Sequence, residues 1–157
     1  MRVSACNMAS WTDTARRFLE SHRVGHLATA DASGAPHVVP VCYALHDDRL
    51  WIVADLKPKR RPARELQRLA NVRANPRAAL VVDDYDDDWR RLAYVLVRGP
   101  AAIVTSSDAH AGALAALRAR YAPYRDMAID DPVAHPMLRI TPSRIVEWRA
   151  SPLCESP

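Results

Sequence analysis

Apolar and polar positions along this chain follow two periods, one helical and one strand-like. From Ser10 to Arg23, Trp11, Ala15, Phe18 and Leu19 recur at helical spacing, and Ser10 with Asp13 three residues on resembles a capping box. This predicts an amphipathic opening helix. Val24 to Ala30, His37 to Leu45 and Arg49 to Ala54 read as three strands, separated by Asp31-Ala32-Ser33-Gly34 and His46-Asp47-Asp48, both of turn composition. Connections this short favour antiparallel neighbours. A second helix is expected to open at Pro62, bury Leu66, Leu69 and Ala70, and close at Asn75-Pro76.

Ala78 to Val82 then predicts a fourth strand and Leu92 to Thr105 a long fifth one, interrupted by a bend or bulge at Arg98-Gly99-Pro100. A third helix is expected from about Asp108 to Ala122, capped by Ser106 or Ser107, with Leu114, Leu117 and Tyr121 on one face. Leu138 to Ile140 and Arg144 to Trp148 predict a final strand pair, or one bent strand across Thr141-Pro142-Ser143. Antiparallel runs with helices inserted at intervals favour an α+β, mainly β architecture: a closed or half-closed barrel of about six strands with three helices.

The 157 residues suit a single domain, expected over residues 10–150 between a flexible leader at 1–9 and a short polar tail at 151–157. No apolar stretch approaches the roughly 20 residues that cross a bilayer as a helix, and the first residues lack a secretory pattern. Three widely spaced cysteines, Cys6, Cys42 and Cys154, offer neither a disulfide framework nor a CxxC site, which fits a reducing cytoplasm. A formal charge of +4 permits anionic ligands without demanding them.

That charge is unevenly placed. The chain's two lysines, Lys57 and Lys59, stand beside Arg60 and Arg61, so four cations fall within five residues just after the apolar run Leu50-Trp51-Ile52-Val53-Ala54. Such a cluster either neutralises a bound anion or stays in water, its members repelling one another. Arg64 and Arg68, one helical turn apart, extend the basic surface or solvate an exposed face. No two of the four glycines make GxGxxG or a P-loop, so a phosphate would be held by side-chain cations and helix-start amides.

Other chemistries find no pattern. The run Asp83-Asp84-Tyr85-Asp86-Asp87-Asp88 has EF-hand-like alternation, but Trp89 and Val95 stand where that loop needs Gly and Glu, leaving a solvated acidic turn as the reading. Six histidines show no zinc spacing, and no serine sits in a nucleophile elbow. No metal ligand and no catalytic residue is assigned. Nucleic-acid binding lacks aromatic interleaving, since no aromatic residue falls between Trp51 and Tyr85. This pattern is the one expected where an organic cofactor carries the chemistry and the protein supplies position and electrostatics.

The order of features, with Leu66-Gln67-Arg68-Leu69-Ala70-Asn71-Val72-Arg73-Ala74-Asn75-Pro76 and Asp83 to Trp89, resembles the pyridoxamine 5′-phosphate oxidase-like superfamily. More narrowly it is similar to the branch of small actinobacterial proteins described as F-420-dependent. The resemblance spans roughly Trp11 to Ala150. It implies a split β-barrel that forms a homodimer with two equivalent sites at the interface, binding FMN or the deazaflavin coenzyme F-420.

By that resemblance Lys57, Lys59, Arg60 and Arg61 would hold the cofactor phosphate. Main-chain groups of Pro40, Val41 and Cys42, and of Val53, Ala54 and Asp55, would run along the ring, and Trp148 and Arg149 would close the partner's site. A departure sets the chain apart from vitamin B6 oxidation: its second strand, His37 to Cys42, carries no Arg, and its tail is short and polar. The extra loop cations suit the more anionic tail of F-420. The implied activity is hydride transfer from reduced F-420 to an electron-poor small molecule, with FMN chemistry, or a non-catalytic flavin, deazaflavin or haem carrier, as the alternatives.

Overall fold

A computed structural model describes residues 8–55 and 65–150. The Lys57 to Arg61 cluster and the expected helix start at Pro62 lie outside the described residues, as do most of the leader and the tail. The described residues build eight antiparallel strands and three α-helices. The strands are β1 (Gly25–Ala30), β2 (Pro36–Val41), β3 (Ala44–His46), β4 (Arg49–Val53), β5 (Arg77–Asp84), β6 (Ala93–Val104), β7 (Met137–Ile140) and β8 (Arg144–Arg149). Their order is β2-β1-β5-β6-β7-β4-β3, with β8 also paired to β6. The helices are α1 (Asp13–Ser21), α2 (Gln67–Ala74) and α3 (Ser107–Arg120).

The mainly β architecture is as expected, but the count is eight strands rather than six. One predicted strand divides. His37 to Leu45 breaks at Cys42-Tyr43 because Tyr43 is pulled inward: its N–H donates to the Tyr121 hydroxyl (3.1 Å), and the same hydroxyl donates to the Tyr43 carbonyl (3.0 Å). The C-terminal segment, expected as a strand pair or one bent strand, forms two strands. β7 and β8 run in turn along one edge of β6, Met137 to Ile140 pairing with Ala101 to Val104 and Arg144 to Arg149 with Ala93 to Arg98.

Gly99 sits at the corner between those two stretches. The Thr141–Ser143 turn folds over it, the Ser143 N–H donating to the Arg98 carbonyl (3.0 Å) and the Thr141 N–H to the Pro100 carbonyl (2.9 Å). A Cβ at Gly99 would overlap the Thr141 carbonyl oxygen and lie 2.8 Å from the Ser143 nitrogen. The backbone approach that turns the sheet into a barrel is therefore possible only with glycine at this position.

Two apolar clusters lie on either side of β4. Leu50 and Ile52 face the barrel interior with Leu27, Leu80, Val97, Leu138 and Ile140, under a lid of Phe18 and Leu19 from α1 and Leu69 and Val72 from α2. Trp51 and Val53 face outward and are covered by Leu114, Leu117 and Tyr121 of the α3 region with Ile129 and Met137. A strand buried on both faces loses polar alternation, which accounts for its continuous apolar run.

Helix α1 is capped by Thr12, not Ser10: the Thr12 hydroxyl accepts from the Ala15 N–H at 3.0 Å. Its C-terminus is held from the far end of the chain. The Arg120 guanidinium donates to the carbonyls of Glu20 (2.8 Å), Leu19 (2.7 Å) and His22, orphan acceptors at the negative end of the helix dipole. His22 completes this end by donating from Nδ1 to the Phe18 carbonyl (2.6 Å) and from Nε2 to Asp84 (2.7 Å). A carbonyl and a carboxylate both accept, so the doubly protonated ring satisfies both. Burial lowers the His22 pKa, but the Asp84 hydrogen bond, the Phe18 carbonyl and the charges of Asp84 and Asp83 outweigh it, and the net shift is upward from 6.5.

Two outcomes follow from this architecture. Gly99→Ala should lose about 3 kcal/mol or more of unfolding free energy in urea titration, because both opposing atoms are backbone and cannot rotate away. Because the folded pKa of His22 is raised, its stabilisation is complete below about pH 6.5 and is lost as pH rises through the folded value. Wild-type stability should therefore fall more steeply than that of His22→Gln between about pH 6 and 8, and parallel profiles would remove the ion pair from the account.

Candidate functional site

The last residues of β2 and β4 enclose a cavity of about 70 Å³ where the barrel wall parts. Pro40, Val41 and Cys42 line one side and Ile52, Val53 and Asp55 the other, with Arg68 of α2 and Tyr124 from the segment after α3 closing it. Five residues expected beside a cofactor ring, Pro40, Val41, Cys42, Val53 and Asp55, are thus brought together. Their strands are not hydrogen-bonded neighbours, since β2 and β4 lie near opposite ends of the strand order. Curling of the sheet is what brings them together.

The sixth ring-side residue, Ala54, is placed differently. It is buried, and both its main-chain groups are already used: its N–H donates to the Pro136 carbonyl (3.0 Å) and its carbonyl accepts from His135 Nδ1 (2.8 Å). His110 Nε2 in turn donates to the His135 carbonyl (3.0 Å). This chain of two histidines anchors the end of β4, so that Asp55 turns into the cavity while Ala54 turns away from it.

Asp55 is a carboxylate only 4 % exposed. Tyr124, also buried, donates its hydroxyl to Asp55 Oδ2 at 2.6 Å. Burial and then the bond to the carboxylate push the Tyr124 phenol far above its ordinary range, so it stays a donor. Arg68 is partly buried; desolvation lowers its pKa, and the charges of Asp55 and Tyr124 oppose that shift. Arg68 makes no hydrogen bond or salt bridge with another described residue, so its guanidinium faces the cavity with donors to spare.

Arg68, Tyr124 and Ile52 escaped sequence reasoning as site residues. Ile52 was legible in principle, because it alternates with Val53 on β4. Arg68 reads as one more helix-surface arginine, and Tyr124 lies 69 residues from Asp55, a separation no local pattern spans.

Trp148 and Arg149 lie outside this cavity within the chain, and as strand neighbours they face opposite ways. Trp148 stacks on Tyr94 with ring centroids 5.5 Å apart on the outer face of the sheet. Arg149 lies over the Phe18 ring, its Cζ 5.4 Å from the centroid, and lines a separate open groove of about 490 Å³ with Arg17, His22 and Asp84. The acidic run divides between the end of β5 and the following turn. There Asp86 accepts from the Asp88 N–H, and Asp88 pairs with Arg90 at 2.8 Å. The described residues hold no cluster of three or more potential metal ligands.

An antiparallel barrel whose wall parts between two strand ends is consistent with the split-barrel class. Residues 11–149 match the family described as pyridoxamine 5′-phosphate oxidase, and the chain belongs to that family. No curated protein matches the sequence.

Among solved structures, the chain is similar to a conserved hypothetical protein from Mycobacterium tuberculosis, at 23 % identity and a TM-score of 0.72, covering 96 % of this chain and 91 % of that one. An F420 reductase is similar at 24 % identity and a TM-score of 0.64 over 87 % and 98 % of the two chains. The heme storage protein HutZ from Vibrio cholerae shares 14 % identity with a TM-score of 0.64 over 85 % and 89 %. At these identities the likeness is one of fold.

The Tyr124–Asp55 bond is the internal support of the site. Tyr124→Phe should cost about 1–3 kcal/mol of stability in urea unfolding, since a buried carboxylate loses a donor. An unchanged midpoint would mean that Asp55 is satisfied without it.

Proposed function

We propose that this protein is an oxidoreductase that binds the deazaflavin coenzyme F-420 in the cavity between β2 and β4 and acts on an electron-poor small molecule. The observation that carries this reading is a partly buried guanidinium, Arg68, lining a strand-walled cavity beside Asp55, which in sequence stands two residues before the cation cluster beginning at Lys57. Desolvated cations stay desolvated at low cost only where an oxygen-rich partner meets them. Membership of the pyridoxamine 5′-phosphate oxidase family supports a flavin-type ring as that partner. The F420 reductase among the fold relatives supports the deazaflavin, and FMN is the second reading, carried by the family itself.

When bound, such a cofactor supplies hydride transfer, and the chain's own residues bind and orient it. Pro40, Val41 and Val53 offer apolar walls that exclude water from the ring edge. Lys57, Lys59, Arg60 and Arg61 supply side-chain donors for the phosphate, with F-420 favoured because its anionic tail matches four cations better than a single phosphate does. No described residue is assigned as a general acid, and solvent supplies the proton.

We further read the site as completed by a second copy. Across β2, β1, β5, β6 and β8, the register sets Pro40, His26, Val81, Leu96 and Val146 in one outward row, and Val38, Ala28 and Ala79 in the next. Val38 is 61 % exposed, and Trp148 stands on the same face with Tyr94. The second row continues through Arg98 to Arg144, so this sheet face is apolar with a charged margin, and it starts at the cavity lip, at Pro40. A partner seated there reaches the site.

Mixing the protein with F-420 and, separately, FMN, followed by gel filtration with absorbance detection, should show F-420 co-eluting at the mass of a dimer. Replacing Lys57 and Lys59 together by Ala should weaken F-420 binding by ~2–4 kcal/mol in fluorescence titration, about 1–2 per charge-assisted contact. Unchanged affinity would remove the cluster from the site.

A further inference from the structure

We propose that Arg68 recognises the carbonyl edge of the cofactor ring, with the Asp55 carboxylate, itself hydrogen-bonded by Tyr124, as the counter-charge beside it in the cavity. This rests on the flavin-type reading above and assigns the inner end of the same site.

Three features argue for a neutral oxygen acceptor at this point. The first is size: about 70 Å³ admits a few heavy atoms, far below the roughly 300 Å³ or more of a complete small-molecule pocket. The cavity therefore takes the edge of a larger ligand whose remainder lies outside it.

The second is charge. Asp55, Arg68 and Tyr124 line one small space, so the Asp55 carboxylate already offsets the Arg68 cation. A phosphate pushed in beside that carboxylate would meet like charge at short range in a poorly hydrated setting, whereas an uncharged carbonyl would not. Arg68 is thereby left for recognition of an uncharged edge.

The third is hydrogen-bond capacity. A guanidinium offers five N–H donors, and Arg68 spends none on a described residue. The pyrimidine-dione edge common to flavins and deazaflavins presents two carbonyl oxygens, either of which can accept from a guanidinium N–H. Tyr124 cannot compete for Arg68 as an anion, because its phenol remains protonated and its hydroxyl is committed to Asp55 at 2.6 Å.

The test separates ring from phosphate by using two ligands that share a ring. Dissociation constants are measured by fluorescence titration for FMN and for riboflavin, which lacks the phosphate, with wild type, Arg68→Met and Arg68→Lys. If the wild type prefers the deazaflavin, F-420 and its phosphate-free ring-side fragment take their place.

Arg68→Met should weaken both members of the pair by the same factor, tenfold or more. Arg68→Lys, which keeps the charge but loses the fork, should show a smaller loss, again equal for both. Loss confined to the phosphorylated ligand would place Arg68 at the phosphate and overturn the assignment, as would unchanged affinity for both.

Should Arg68→Met fail to fold, as judged by thermal unfolding of the ligand-free protein, the Arg68→Lys ratio decides the same question. Normal wild-type binding with unaltered variants defeats this inference alone. A wild type that binds neither flavin nor deazaflavin defeats the cofactor reading and this inference with it.

Discussion

Strand β4 is buried on both faces, and the rest of the molecule is arranged around that constraint. Leu50 and Ile52 need the barrel interior, while Trp51 and Val53 need a cover of their own, which α3 and the segment after it provide. Few strands in a small barrel are committed on two sides, and one that is cannot slip by a residue without exposing one set and jamming the other. Its end is fixed as firmly. Ala54 is held through both main-chain groups by Pro136 and His135, so the next residue leaves the strand at a set angle and carries a carboxylate into the interior.

A buried carboxylate must have partners, and here they come from elements that otherwise serve packing. Tyr124 follows α3, the helix that covers Trp51 and Val53; Arg68 belongs to α2, the helix that closes the barrel mouth. The candidate site is therefore a by-product of how the two apolar clusters meet. Polar residues gather where β2 and β4 part, and they gather because the barrel is split there. The same logic places Arg120, which satisfies three carbonyls at the end of α1 from a position about a hundred residues away.

Close backbone approach is the other device. At Gly99 the strand bends beneath the Thr141–Ser143 turn, letting β6 serve β8 with its first half and β7 with its second. That bend converts a flat ladder into a curved wall. It also sets the outward rows of β2, β1, β5, β6 and β8 on one continuous face.

The amino-acid order by itself determined the mainly β class, the placement of α1 and α3, the bend at Arg98-Gly99-Pro100 and five of the residues that line the cavity. These depend on local period, turn composition and the likeness of short motifs, all of which are carried by neighbouring residues. Tertiary structure alone decided that His37 to Leu45 is two strands, because Tyr43 answers to a hydroxyl 78 residues distant. It likewise decided that Ala54 turns away from the cavity, that Arg68 and Tyr124 belong with Asp55, and that Arg149 lies over Phe18. In each case the partner is remote in the chain, and the cost of leaving a buried polar group without one is met only once the fold has closed.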